Sequence, residues 1–274
     1  MDRIGIVSLV EDVRFSEVAR VSAAIQQQIK TDVGPIWQVD ATVDAFAKLD
    51  DLPEGCIPVA IVAKLANEAF AGFHKTANGQ PYAFVRSSSV WSLDASHECI
   101  EILLDPTGDR FRTGPSLKPI QGDVNYLQEA CDPCGRGAGA YRIADTIVAD
   151  FCFPEYYTAS SGISRAFSKT ERLQGPRTLL AGGYLTWFDT ETQQWWQADR
   201  FGSSISLGKI QPPDVGNSLR ERIDSVSSDG RSKCEGKGER RLKKLLKECG
   251  QARRKACARA EAMRAEFSRW LADK

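Results

Sequence analysis

The chain has no stretch approaching the roughly 20 consecutive apolar residues that a membrane span requires, which argues against a transmembrane helix. Histidine is scarce: among 274 residues only His74 and His97 carry an imidazole. Cys131 and Cys134 form a lone C-x-x-C with no second pair, and Cys234, Cys249 and Cys257 are spaced wrongly to make one. A zinc knuckle is therefore not expected, and the eight cysteines are read as free thiols. The run Gly135-Arg136-Gly137-Ala138-Gly139 lacks the Lys-Ser/Thr pair and following helix of a phosphate-binding loop. No unit repeats along the chain. The opening residues Met1 to Val10 are too short, and too soon followed by Glu11-Asp12, to be expected as a signal peptide. They read instead as a β-strand, and the expected location is cytoplasmic, where disulfides are disfavoured.

What is present is ordinary globular material, 42% hydrophobic and 26% charged, enough for one large domain with an appendage or for two small domains. The net charge of zero hides an asymmetry. Residues 1–216 carry 19 basic against 27 acidic side chains, and residues 217–274 carry 17 against 9. The expected division is an α/β domain over 1–215, a flexible linker over 216–238 rich in Ser, Gly and Lys, and a basic amphipathic helix over 239–274.

Periodicity predicts a helix from Phe15 to Val33, with Ser16 as its N-cap and Val18, Val21, Ile25 and Ile29 on one face. Gly34-Pro35 is expected to stop it, and residues 36–43 to form a strand. A short apolar strand follows over 57–63. A hairpin is expected from Gly72 to Val85 around the Asn78-Gly79 turn, and a helix from Leu93 to Asp105-Pro106. The stretch from Thr107 to Gly139, rich in Gly, Pro and Asp, reads as a long ordered loop. Tyr141 to Val148 reads as one strand, and residues 183–197 as a second hairpin. The C-terminal helix is expected to bury Leu242, Leu246, Cys249, Ala256, Ala260, Met263, Phe267 and Trp270, with Gly250 weakening its middle.

The chemistry concentrates in Ser96-His97-Glu98-Cys99-Ile100-Glu101. His97 and Glu101, four residues apart on a helix, project from the same face, with Glu98 about 100° around. That matches the H-E-x-x-H helix of zinc peptidases with the second histidine replaced by glutamate, which is itself a zinc ligand. Asp105 extends the stripe by one more turn. On spacing alone a solvated helix face, its carboxylates paired with Arg110 and Arg112, explains the same pattern.

The longer segment Ser96 to Pro106, S-H-E-x-x-E-x-x-x-D-P, resembles the corresponding segment of zincin-like metallopeptidase relatives. It also resembles the plant EXORDIUM-like (phosphate-induced) proteins, and Glu129-Ala130-Cys131-Asp132-Pro133-Cys134 resembles their downstream acidic element. The resemblance covers residues 90–155. It implies a zincin-like mixed sheet backing an active-site helix, with His97, Glu101 and Asp105 holding a metal and Glu98 as general base. Glu129, Asp132 and His74 are then alternative ligands or orienting groups. Zinc is the metal implied, and calcium or manganese would also suit so many carboxylates.

The resulting expectation is a metal-dependent hydrolase acting on a peptide or protein substrate. The alternative is a catalytically silent interaction protein working through its basic helix. That helix is expected to fold back on the acidic body or bind a protein partner, with nucleic acid as a further partner class. Tyr126 and Tyr141 as oxyanion donors, and Trp187, Trp195 and Trp196 as a binding platform, are weighed against plain packing.

Overall fold

Strand β1 (Asp2–Ser8) turns Ile4 and Ile6 toward α1 (Phe15–Gln28), whose Val18, Val21 and Ile25 cover them in one apolar cluster. The computed structural model describes residues 1–67, 70–213, 219–220, 222–223, 225–226 and 237–272. A π-helical turn over Ile29–Val33 and the short α2 (Gly34–Trp37) carry the chain on to β2 (Ala41–Phe46), parallel to β1 as a helical crossover requires. Next, β3 (Ile57–Val62) pairs parallel on the other side of β1. A hairpin of β4 (Gly72–Ala77) and β5 (Gln80–Arg86) turns through Asn78-Gly79, both at positive φ. Because β5 pairs parallel with β3, the mixed sheet has the order β2-β1-β3-β5-β4, with β4 its antiparallel edge.

Helix α3 (Trp91–Leu104) is buried at every position except Ser92 and His97. It carries two apolar stripes. Trp91, Ala95, Cys99, Ile102 and Leu103 pack with the mixed sheet, while Leu93, Ile100 and Leu104 join a second core. A helix apolar on two sides belongs between two layers. The second layer is an antiparallel sheet of β6 (Phe111–Pro115), β7 (Asp123–Leu127), β10 (Tyr184–Asp189), β11 (Gln194–Asp199) and β12 (Ser206–Ile210), in the order β12-β11-β10-β7-β6. Between its halves lie the hairpin of β8 (Tyr141–Ile143) and β9 (Thr146–Val148) and the short α4 (Glu155–Thr158). The fold is therefore α+β, a mixed sheet backing a buried helix, with α5 (Lys237–Ala272) at its C-terminal side.

Several expectations are corrected. Gly34-Pro35 does not stop the first helical segment, since Pro35 sits in the first turn of α2, where no amide hydrogen is needed. Ser16 does not cap α1: the N-cap is Arg14, without a side-chain hydrogen bond. The expected loop over 107–139 contains the β6–β7 hairpin, and the strand over 141–148 is a tight hairpin that turns at Ala144, φ 49°. Strand β12 had no expectation attached to it.

Within the segment expected to be a linker, Arg220 and Ile223 are buried against the body; residues 216–218, 221, 224 and 227–236 lie outside the described residues. Helix α5 folds back only in its first turns. Leu245 and Cys249 are buried with Leu242 beside them, and Arg241 Nε donates to the Ala140 carbonyl at 2.6 Å. Leu246, Met263 and Phe267 are exposed, contrary to the expected stripe, and the side chain of Trp270 lies outside the described residues. No described helix is long and apolar enough to cross a membrane.

Candidate functional site

A third, polar stripe separates the two apolar stripes of α3. It consists of Asp94, His97, Glu98, Glu101 and Asp105, at the i, i+3, i+4, i+7 and i+11 spacing of one helix face. Its four carboxylates are all buried, which overturns the solvated-face alternative. Buried carboxylates require partners, and each has one. Asp94 takes a bidentate pair of bonds from Arg136, both at 2.6 Å. Glu98 Oε2 lies 3.3 Å from His74 Nδ1 on β4. Glu101 Oε1 accepts the backbone N–H of Cys131 at 3.1 Å.

Asp105 is a correction. Its two oxygens accept the backbone N–H groups of Asp109 and Arg110, each at 3.0 Å, so it fastens the turn after α3 and does not join the donor cluster. Asp105→Ala removes the acceptor of two part-buried amide hydrogen bonds, each worth about 0.5–1.5 kcal/mol. The expected result is a clear loss of stability in urea denaturation with any metal content unchanged.

The cleft beside this stripe has a volume of about 460 Å³ and is walled by Gly72, His97, Glu98, Asp132, Arg136 and Arg220, among others. His97 is the one stripe residue whose side chain is appreciably exposed, at 21%. Its Nε2 lies 3.0 Å from Glu101 Oε2 and 3.4 Å from Asp132 Oδ1. Glu101 Oε2 is fully buried and has no hydrogen-bond donor: the imidazole is close to it but not aligned for a bond. Glu129 and Asp132 come from the segment after β7 and meet Glu101 within one potential ligand shell.

Opposite them, Arg220 reaches Glu129 at 2.7 Å and Asp132 at 3.3 Å. Gly72 gives Glu98 its room, since a Cβ at that position would lie 2.7 Å from Glu98 Oε1.

The electrostatics follow from this packing. Burial alone would lower the His97 pKa, but the neighbouring Glu101 and Asp132 carboxylates hold it well above the usual imidazole value. Burial would likewise raise Glu101, yet the charges of His97 and Arg220 pull it far below the ordinary carboxylate range. For Glu98 burial prevails and its carboxyl is raised, partly offset by His74 and His97. Glu129 is raised well above normal by burial, against the pull of Arg220. Cys131 borders the cluster, but burial and the surrounding carboxylates raise its thiol well above normal, so it keeps its proton.

The structure thus brings together His97, Glu98, Glu101, Glu129, Asp132 and His74, and leaves Asp105 out. Sequence reading missed Arg220, Arg136 and the space at Gly72. The Asp94–Arg136 and Asp132–Arg220 pairs span 42 and 88 residues, and pairs so distant have no local signature. Tyr126 and Tyr141 stand elsewhere, donating to the Pro115 carbonyl at 2.8 Å and to Asp32 at 2.7 Å. Trp187 is buried and stacked on Trp196, as plain packing would have it. No family model, no curated protein and no solved structure matches this chain.

Proposed function

We propose that the chain is a metal-dependent hydrolase acting on peptide bonds, with His97, Glu101 and Asp132 as metal ligands and Glu98 as the general base. The observation that carries this reading is the approach of His97 Nε2 to both Glu101 Oε2 and Asp132 Oδ1, beside Glu101, Glu129 and Asp132 carboxylates that meet within one potential ligand shell. Zinc bonds of about 2.0–2.1 Å at tetrahedral angles set ligand atoms roughly 3.3 Å apart, and His97 Nε2 lies 3.0 Å and 3.4 Å from its two neighbours. An imidazole and carboxylates suit zinc best, with manganese or calcium as the alternatives.

When bound, a metal there would supply Lewis acidity and a water acidic enough to ionise near neutral pH. The remaining work falls to the chain. Glu98 takes a proton at Oε1, the oxygen at Gly72, while His74 holds Oε2. Its raised affinity for a proton suits a base that must accept one and pass it on. The edge strand β4 borders the same cleft, and an extended peptide can add to such an edge. The zincin resemblance of the SHExxE segment agrees with this reading, and a cytoplasmic setting agrees with the free thiols.

The test is elemental analysis of the purified protein beside a His97→Ala/Glu101→Ala double variant. Stoichiometric zinc in the first and none in the second is the expected result. No metal in either, after incubation with zinc, manganese and calcium, would sink the proposal.

A second reading rests on α5. From Arg253 to Arg269 its described side chains are exposed apart from a half-buried Ala260, and six of them are basic. A catalytically silent protein that binds an acidic protein partner or nucleic acid through this helix predicts salt-sensitive binding, lost on truncation near residue 235.

A further inference from the structure

The cluster holds more carboxylates than a zinc site uses. Glu98, Glu101, Glu129 and Asp132 gather around His97, with His74 against Glu98, and Glu101 Oε2 and Glu129 Oε2 are buried without a hydrogen-bond donor. Left to themselves, so many oxygens would form a hard site of the kind calcium or manganese prefers.

The guanidinium of Arg220 changes that count. It is itself 95% buried (5% exposed). It lies 2.7 Å from Glu129 Oε1, donates to Asp132 Oδ2 through both terminal nitrogens at 3.3 Å, and donates to the Tyr184 hydroxyl at 2.9 Å. One oxygen of Glu129 and one of Asp132 are thereby engaged. What remains is His97 Nε2 with one oxygen each from Glu101, Glu129 and Asp132, a mixed N/O set of the size a four-coordinate zinc site uses and too few oxygens for the six to eight that calcium takes.

The approach of Arg220 is built into the fold. Gly108, in the turn after α3, has φ +69°, and a Cβ there would lie 2.4 Å from the Arg220 Cβ. Any side chain at position 108 would push the arginine off the cluster.

We propose that Arg220 determines which metal the site takes, selecting zinc over manganese and calcium by withdrawing surplus carboxylate oxygens from the ion. This rests on the metal-site reading above. Arg220 is a positioning residue in this role: it touches the ligand carboxylates and not the ion. Its effect is therefore read in binding, independently of turnover.

The experiment titrates chelator-stripped, full-length protein with Zn²⁺, Mn²⁺ and Ca²⁺ by calorimetry. Arg220→Met keeps much of the stem volume and removes the charge. It is expected to raise manganese and calcium affinity relative to zinc by about tenfold or more, because a unit positive charge a few ångströms from the shell no longer opposes the ion and two carboxylates are released to it. Gly108→Ala, which crowds Arg220 off the cluster without removing its charge from the chain, is expected to move the metal ratio in the same direction.

An unchanged metal ratio in Arg220→Met overturns the inference, as does an unchanged ratio in Gly108→Ala. The second variant decides the matter if Arg220→Met does not fold. A wild-type protein that binds no metal overturns the hydrolase reading along with this one. Zinc bound by the wild type and lost in the His97→Ala/Glu101→Ala variant, with a ratio indifferent to Arg220, overturns this inference alone.

Discussion

Glu98→Gln is expected to retain zinc and to lose peptide hydrolysis, with kcat falling about 10²–10⁴-fold, the usual contribution of a positioned base. The substitution keeps the shape of the side chain, so the cavity opposite Gly72 stays filled and His74 keeps a partner for its Nδ1. Only the capacity to accept a proton is removed. Because Glu98 is not among the proposed ligands, metal content measured by elemental analysis should match the wild type. That combination separates it from His97→Ala, which loses metal and activity together. Activity against a mixed peptide substrate that survives Glu98→Gln would remove Glu98 from the reaction. An equal loss of zinc would make it a ligand.

The second large effect is on the pH dependence of stability, and its sign follows from the buried groups. Glu98 and Glu129 have raised pKa values, so the folded protein retains protons there that the unfolded chain releases above about pH 4.3. Asp105 and Asp150, raised chiefly by burial, act in the same direction. His97 is raised as well, and it keeps its proton above about pH 6.5, where the unfolded imidazole loses it. Its contribution is complete below that value and is lost as pH rises through the higher folded one. Where the folded state binds more protons, stability falls with rising pH. Glu101 and Asp189 run the other way: each stabilises above the unfolded carboxylate value and loses that contribution only in acid.

Metal-free protein should therefore be most stable in mild acid, and its denaturation midpoint should decline from about pH 5 to about pH 8. Zinc needs deprotonated ligands, so its stabilisation grows over the same range and should flatten or reverse the decline. Chelator-treated and zinc-loaded samples, unfolded in urea at a series of pH values, give the comparison directly. A metal-free midpoint that climbs through neutral pH would contradict the arrangement of charges described for the cleft.

What could be read from the sequence depended on how local the cause was. Helix α3 was legible because its apolar residues repeat at helical spacing and Asp105-Pro106 ends it. The β4–β5 and β10–β11 hairpins were legible from their turns and alternation. The β6–β7 hairpin was not, because Gly114 and Pro115 signal a loop. In the structure Gly114 lies within a strand, where a Cβ would come within 2.2 Å of the Tyr157 carbonyl. There glycine reports a close approach by α4, which local pattern does not encode. The site divides along the same line. His97, Glu98 and Glu101 are visible as one helix face. The departure of Asp105 depends on a turn that offers it two amides, and the arrival of Asp132 and Arg220 depends on long-range packing alone.

The 88-residue separation between Asp132 and Arg220 also bears on how the protein is made. As the chain leaves the ribosome, α3 and the acidic segment after β7 emerge well before the cation that neutralises them. Until Arg220 arrives, the nascent layer holds Glu101, Glu129 and Asp132 facing one another with only His97 between them, and closing so distant a contact is intrinsically slow. Repulsion among those carboxylates then opposes early consolidation of that region. Consolidation of the acidic cluster is accordingly expected to wait for Arg220, and α5, later still in the chain, then adds Leu245 and Cys249 to the interior.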